Sequence, residues 1–312
     1  MPMLSYDNLK DKPTVLLSFT GLTQDEFSDL LTAFAFSWKT ETRRQRQAKK
    51  NRQRKAGGGR KPSIKKMEDR LLFIMFYLKT YPLQEVLAFH FDLSQGQANR
   101  MLHRSAKILK AALGHLGQLP EREGERLSEV LSQYEVLTFA QDGSERRRQR
   151  PKKGQKAYYS GKKKCHTVKN HLVVHPESRR VCYLSKTVAG KMHDKKLADE
   201  SNLSFPDLAV VEQDTGFQGY ELENIIVVQP KKKPRKQDLS TADLFINKAI
   251  SSGRVIVENV IAGIKRCRIV KDVLRNWKSE FDDLVMEIAC GLHNFRTSFR
   301  QPQHTFRLLD LI

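Results

Sequence analysis

The sequence predicts a chain in two parts: an all-α amino-terminal region and, after it, an α/β domain built on a mixed sheet flanked by helices. Three observations predict it. Apolar residues recur at three- and four-residue intervals as far as about residue 116. From about Glu135 the texture changes to short runs rich in Val, Ile, Thr and Tyr, bounded by turn residues. Helical spacing then returns from Leu239 to about Lys271.

The elements follow in order. Thr23-Gln24-Asp25-Glu26 has the capping-box pattern, in which a hydroxyl and a carboxylate three residues on satisfy backbone donors at a helix start. Phe27, Leu30, Leu31, Phe34 and Trp38 follow on one helical face. Residues 1–62 are read as this helix plus a basic linker whose Gly57–Gly59 and near-absence of apolar residues predict flexibility in the free protein. Met67 to Lys79 is a strongly apolar helix, and Pro82 suits the first turn of the next, running through Leu83, Val86, Leu87 and Phe89. After a break at Phe91-Asp92-Leu93, Ser94 and Gln97 form a second capping box. The helix it opens turns Ala98, Leu102 and Leu109 inward and Gln95, Asn99, Arg100, His103, Arg104 and Lys107 outward. Two short helices joined by a three-residue turn, the second bearing amide and basic side chains, meet the needs of a helix-turn-helix reading the major groove. Residues 63–116 are therefore read as a DNA-binding helix-turn-helix, with a plain helical hairpin as the alternative, and residues 117–134 as a linker helix.

From residue 135 to 312 the strand candidates are YEVLTFAQD, KCHTVKNHLVVHP, RVCYLSKTVAG, LAVVEQD and NIIVVQP. VLTFA runs into Asp142-Gly143 and LAVVEQ into Asp214-Thr215-Gly216, so both aspartates are expected at strand ends, where a sheet opens to ligand. Taken singly, each Asp is also a common turn residue. The later helix is expected to break at Ser251-Ser252-Gly253. In its second part Arg254, Glu258 and Lys265 fall within about 40° of one another, while Val255, Ile256, Val257, Val260, Ile261 and Ile264 occupy the rest of the circumference. A helix buried except for one polar stripe makes Glu258 costly unless Arg254 or a cation pairs with it.

Charge narrows the function classes. The net charge is +21, and residues 41–66 hold twelve Lys or Arg against one Glu, residues 145–164 ten against one, and Lys231–Lys236 five. Charge gathered this way is a track for phosphates, so nucleic acid is the expected partner. No apolar run reaches membrane-spanning length and MPMLSYDNLKDKP lacks the charged-then-apolar order of a secretory signal. A cytoplasmic, nucleoid-associated, bacterial-type location is expected, with no membrane partner. Cys165, Cys182, Cys267 and Cys290 are too scattered for a disulfide framework. The run Cys165, His166, His171, His175 and Cys182 lies in strand-like alternation, which points neighbours to opposite faces and argues against zinc.

Two aspartates at strand ends and a glutamate on a following helix form a donor set for phosphodiester chemistry. Two divalent ions held by such hard oxygens neutralise a pentacovalent phosphate and activate the attacking oxygen, and flanking Lys and Arg bring the DNA backbone to them.

At these residues the chain resembles the insertion-sequence transposases of the IS-five group. The matching stretches are DGSERRRQRP from Asp142, YYSGKKKCHTVK at Tyr158–Lys169, GKMHD at Gly190–Asp194, QDTGFQG around Asp214, and Asn247, Arg254, Glu258 and Lys265 in the pattern N-x6-R-x3-E-x6-K. TGLTQDEF and LLFIMFYLKTYPLQEVLAFHF extend the likeness over nearly the whole chain. The resemblance implies an RNase H-like core over residues 135–312 carrying a DDE triad, with Asp142, Asp214 and Glu258 holding Mg²⁺, for which Mn²⁺ substitutes. It implies that Arg254 and Lys265 contact transposon-end phosphates; the charge clustering adds Arg146, Arg147, Arg148, Lys162, Lys163, Lys164 and Lys169 as expected DNA contacts, and His193, Asp194 and Asn247, in the matching stretches, are candidate accessory residues. It also implies cleavage at terminal inverted repeats, joining of the 3′ ends to target DNA, and a homodimer or larger synaptic assembly on double-stranded DNA. The wider clan's signature has tyrosine where this chain has Ser251, and Phe217 stands where tyrosine is frequent. A domesticated DNA-binding protein without cleavage and a nuclease on the same fold are the alternatives.

Overall fold

The computed structural model of the chain describes residues 3–48, 62–222, 224–233 and 238–300, and its described side chains exclude those of Ala249 and residues 251–254. Most of the basic linker, Arg235 and Lys236 of the third cluster, and the Arg254 side chain thus lie outside the described residues. The chain divides into two compact units, one comprising residues up to Leu119 with Arg266–Ile269 and Leu284–Leu292, the other the remainder.

The first unit is helical: α1 (Pro13–Thr20), α2 (Gln24–Gln47), α3 (Met67–Thr80), α4 (Gln84–His90) and α5 (Gln95–His115). Both predicted capping boxes form, Thr23 with Glu26 at the start of α2 and Ser94 with Gln97 at the start of α5. Such a cap is worth about 1 kcal/mol over alanine. Phe27, Leu30, Phe34 and Trp38 of α2 are buried, as are Ala98, Leu102 and Leu109 of α5 and Leu71 to Leu78 of α3. Each large side chain so buried contributes about 1.5–3 kcal/mol. One element departs from expectation. α4 starts two residues beyond Pro82, with Leu83 as its cap, and of the four apolar positions expected along it only Leu87 is buried, Leu83, Val86 and Phe89 being exposed. A seven-residue helix has too few turns to bury more than one narrow face.

The second unit is built on a seven-stranded sheet. A 3₁₀ turn (Gly124–Arg126) and α6 (Leu127–Leu131) lead into β1 (Thr138–Arg147). Next come α7 (Gln155–Tyr158), β2 (Tyr159–Ser160), β3 (Cys165–His175), β4 (Arg180–Leu184), β5 (Val188–Ala189), α8 (Asp194–Asp199) and β6 (Val210–Gln213). A 3₁₀ turn (Thr215–Phe217), β7 (Ile226–Val228), α9 (Thr241–Ile264) and parts of α10 (Arg268–Lys271) and α11 (Phe281–Arg300), which are divided between the two units, complete the described elements. The sheet order is β2-β3-β1-β6-β7, with β4 and β5 also pairing with β3. β3 is antiparallel to β1 and β4, whereas β1, β6 and β7 run parallel. This mixed sheet flanked by helices is RNase H-like. Phe139, Val173, Cys182, Tyr183, Leu203 and Ala209 form a core with Leu127 and Leu131 of α6.

Two expectations about the elements are corrected. β1 does not end at Asp142: its antiparallel pairing with β3 continues through Glu145↔Lys169 to Arg147↔Thr167. Asp-Gly followed by charges has the composition of a turn, but eight residues of ladder to β3, from Ala140 to Arg147, outweigh that local preference. Helix α9 runs unbroken through residues 251–253 and stops at Lys265. One interior glycine costs only about 1 kcal/mol, too little to end a 24-residue helix. Nor is α9 buried all round: Val257, Val260 and Ile264 are buried, Ile256 and Ile261 are half-buried, and Val255 and Glu258 are exposed. Gly263 lets α11 approach α9, because a Cβ there would run into the His293 ring, and Arg296 Nη2 donates to the Gly263 carbonyl at 2.9 Å.

Candidate functional site

The parallel ladder between β1 and β6 ends at the pair Gln141↔Gln213, and the next residue on each chain is an aspartate. Asp142 and Asp214 therefore stand side by side where two parallel strands part, Asp142 still held by β3 through Leu172. Alternation along the strands sends both carboxylates to one face, together with Arg146 and Asn170, and sends Gln141, Gly143, His171 and Gln213 to the other. Each carboxylate is half-buried and oriented locally: Asp142 Oδ1 accepts from the Gly143 N–H at 2.7 Å, and Asp214 Oδ1 from the Thr215 N–H at 2.6 Å. Gln229 Nε2 donates to the Asp214 carbonyl at 2.6 Å.

The opposite face carries the support. Asp194, the first residue of α8, is nested between the two glycines that follow the aspartates. A Cβ on Gly143 would stand 2.6 Å from Asp194 Oδ1, and one on Gly216 would stand 3.1 Å from Oδ2. These glycines serve packing as much as turning. Lys169 Nζ pairs with Asp194 at 3.0 Å and donates to the Met192 carbonyl at 2.9 Å, which occupies the buried ammonium. His193 is exposed. Phe217 is buried with its ring centroid 5.2 Å from that of His171. The tyrosine frequent at this position in the wider clan would thus bring a hydroxyl into a closed apolar contact.

On the aspartate face, Lys265 at the end of α9 is half-buried, and burial, reinforced by Lys163 and Arg146 and opposed by Asp142, pulls its ammonium below the usual lysine range. Lys265 thus lies within electrostatic reach of Asp142 as well as of Lys163 and Arg146. Glu258 shares a helical stripe with Lys265, but lies seven residues earlier, about 10 Å along the axis. Among the described residues no three His, Cys, Asp or Glu side chains converge closely enough to hold a metal ion. The carboxylate pair has the hard-oxygen chemistry that Mg²⁺ or Mn²⁺ takes, and Glu258 does not join it in such a group.

The remaining basic residues separate into two kinds. Arg147, Lys162, Lys163 and Lys164 are exposed. Arg146 is buried, with Nη2 donating to Asn170 Oδ1 at 2.9 Å and to the Asp282 carbonyl at 3.2 Å. The Arg148 guanidinium stands over Tyr158 at 4.5 Å and Trp277 at 5.4 Å, with Asp282 at 3.6 Å. These two arginines and Lys169 tie the site together from within. Asn247 of α9 grips Lys231, accepting from its N–H at 2.8 Å and donating to its carbonyl at 2.9 Å. In the helical unit Arg100 and Lys107 of α5 are exposed and His103 is half-buried. Gln84 Oε1 accepts from both Gln95 (2.8 Å) and Asn99 (3.0 Å), fixing α4 to α5. Arg104 donates to Thr42 at 2.8 Å and lies 4.5 Å from the Trp38 ring, with Arg70 at 4.6 Å.

Sequence reasoning passed over Gln141 and Gln213, and weighed His171 only within the run set aside as a zinc site. The signal was present, since Gln-Asp occurs at the end of both strand runs, AQD and EQD.

An RNase H-like sheet with paired aspartates at the parting of two parallel strands, in one chain with a helix-turn-helix, defines the class. The chain belongs to the DDE superfamily of endonucleases. The family described as "DDE superfamily endonuclease" matches residues 141–294 and the "Helix-turn-helix of DDE superfamily endonuclease" matches residues 66–114. The chain is also similar to the probable transposase for insertion sequence element IS702 of Microchaete diplosiphon, with 27% identity over 252 residues, covering 81% of this chain and 88% of that protein. No solved structure matches it. No helix among the described residues is long and apolar enough to cross a membrane.

Proposed function

We propose that this protein is a DNA transposase that binds the terminal inverted repeats of its element, cuts there and joins the 3′ ends to target DNA. The reading rests above all on Asp142 and Asp214 standing side by side at the end of the β1–β6 ladder. In it, Asp142, Asp214 and Glu258 hold divalent metal, with Glu258 drawn to the pair as DNA binds. When bound, Mg²⁺ or Mn²⁺ supplies charge neutralisation for the reacting phosphate and activation of the attacking oxygen. The chain's own residues set the stage: Lys265 and Lys163 attract a phosphate to the aspartates, and Arg147, Lys162, Lys164 and Arg254 extend the track for the backbone. Arg100, Lys107 and His103 face DNA from the helix-turn-helix, Gln95 and Asn99 read base edges once released from Gln84, and Arg104 steadies α5 through Trp38. Arg146, Arg148 and Lys169 hold the basic strand, while His193, Asp194 and Asn247 act as positioning residues. The domain limits proposed are 1–62, 63–116, 117–134 and 135–312. Two element ends cut together imply a homodimer or larger assembly, and DNA as partner implies a cytoplasmic, nucleoid-associated protein.

The test is strand transfer with the element's own ends in Mg²⁺. Asp142→Asn and Asp214→Asn are expected to abolish nicking and joining while leaving binding to the ends intact. That Glu258 does not join Asp142 and Asp214 in one group among the described residues favours one second reading, sequence-specific DNA binding without cleavage. Under it no metal yields nicks, and degradation without joined product would indicate a plain nuclease.

A further inference from the structure

Behind the aspartate pair a buried polar relay crosses three strands. His171 on β3, Gln141 on β1 and Gln213 on β6 are 0%, 3% and 2% exposed. His171 Nε2 lies 3.0 Å from Gln141 Oε1, and Gln141 Nε2 donates to Gln213 Oε1. The direction of the relay follows from its chemistry. Because the Gln141 amide nitrogen is spent on Gln213, its oxygen faces His171 and accepts, so His171 carries its proton on Nε2. His171 Nδ1 is buried with no hydrogen-bond partner, so it is the unprotonated nitrogen and the ring is neutral. Gln141 and Gln213 are also the last backbone-paired residues before the strands part. Their side-chain bond therefore ties β1 to β6 immediately before the two aspartates, and Gln229 holds the Asp214 carbonyl.

We infer that this His171–Gln141–Gln213 relay is a positioning device that sets the separation of Asp142 and Asp214 for a shared divalent cation, an inference resting on the reading of those aspartates as metal ligands. A buried amide pair has one bonded arrangement, whereas an apolar pair of the same size can slide, so the relay supplies direction as well as cohesion. Outer groups that orient metal ligands typically change metal affinity about 10–100-fold when removed.

The experiment is Mn²⁺ titration of the full chain without DNA, followed by electron paramagnetic resonance, beside thermal unfolding. Wild type is expected to bind Mn²⁺ in a manner lost in Asp142→Asn. Gln141→Leu and Gln213→Leu each strand a buried amide, and each is expected to weaken Mn²⁺ binding about 10–100-fold. Gln141→Leu should also shift the His171 ring resonances in ¹⁵N spectra. The triple variant His171→Phe/Gln141→Leu/Gln213→Leu removes every polar group the single variants strand and should regain melting temperature without regaining Mn²⁺ affinity. Recovery of both together would reduce the relay to packing and overturn the inference, as would single variants that bind Mn²⁺ like wild type. Should wild type itself show no Asp142-dependent binding, the aspartate reading fails and the inference falls with it, a result distinct from the other two.

Discussion

Gly143→Ala tests how tightly the site is packed. The backbone at Gly143 adopts no left-handed conformation, so alanine meets no backbone penalty and its cost is steric. The added methyl would stand 2.6 Å from Asp194 Oδ1 and 3.3 Å from Cγ, so the carboxylate must retreat by about 0.8 Å to reach ordinary contact at 3.4 Å. Its retreat is hindered by the backbone of Gly216 on the other side and by the 3.0 Å pair to Lys169. Overpacking of this kind costs about 1–3 kcal/mol, and each kcal/mol lowers the melting temperature of a unit this size by about 2–4 °C. The chain has two tryptophans, Trp38 in the helical unit and Trp277 in the sheet unit, so urea unfolding in a Trp38→Phe background reports on the sheet unit alone. Combined with Asp194→Ala, the methyl meets no carboxylate, and the cycle should show a coupling of about 0.5–3 kcal/mol. Gly143→Ala within about 0.5 kcal/mol of wild type, or an equal penalty with Asp194 absent, would refute the packing argument.

Three further outcomes are expected. Arg148→Lys loses the planar group between Tyr158 and Trp277, so a loss of about 1–3 kcal/mol with altered Trp277 emission should appear in urea unfolding, and wild-type values would contradict the stack. Burial pushes His171 down to about 3 from an ordinary 6.5. Between those values the unfolded ring holds the proton that the folded ring refuses, so stability falls as pH falls below 6.5, by up to about 1.4 kcal/mol per pH unit; His171→Phe should flatten that acid limb in denaturation measured from pH 4 to 7. Lys265 has the same sign at the alkaline end: its folded ammonium releases its proton below the usual 10.5, so stability rises with pH through the window beneath that value. Lys265→Met should be more stable than wild type at pH 8 and bind DNA less tightly, and a less stable variant would show the charge to be satisfied after all.

The fold was legible where pattern and burial agree. The capping boxes at Thr23 and Ser94, the inward residues of α5 and the strand runs around Val173 and Val211 all follow from periodicity, because one buried face imposes it. What failed depended on neighbours far off in sequence. α4 reads as a helix running from Pro82 through Leu83, Val86, Leu87 and Phe89, but its seven residues leave Leu83, Val86 and Phe89 exposed. β1 reads as ending at Asp142-Gly143, because nothing local reveals that β3 will pair onward to Arg147.

The site shows the same division, and α9 shows why. Periodicity correctly places Glu258 and Lys265 on one stripe, but the number of apolar residues around a helix does not say how many sides are covered. Among the described side chains of α9 only Val257, Val260 and Ile264 are buried, so Glu258 sits in solvent and the desolvation argument for a bound cation loses its force there. It gains force at Lys265, one end of the same stripe, where burial and two neighbouring cations make an anion the natural counterpart. Likewise the glycines after the two aspartates read as turn formers, yet their common task is to admit Asp194 from the far face of the sheet. A sequence shows which residues have the chemistry; which of them face one another is decided by the ladder that ends at Gln141 and Gln213.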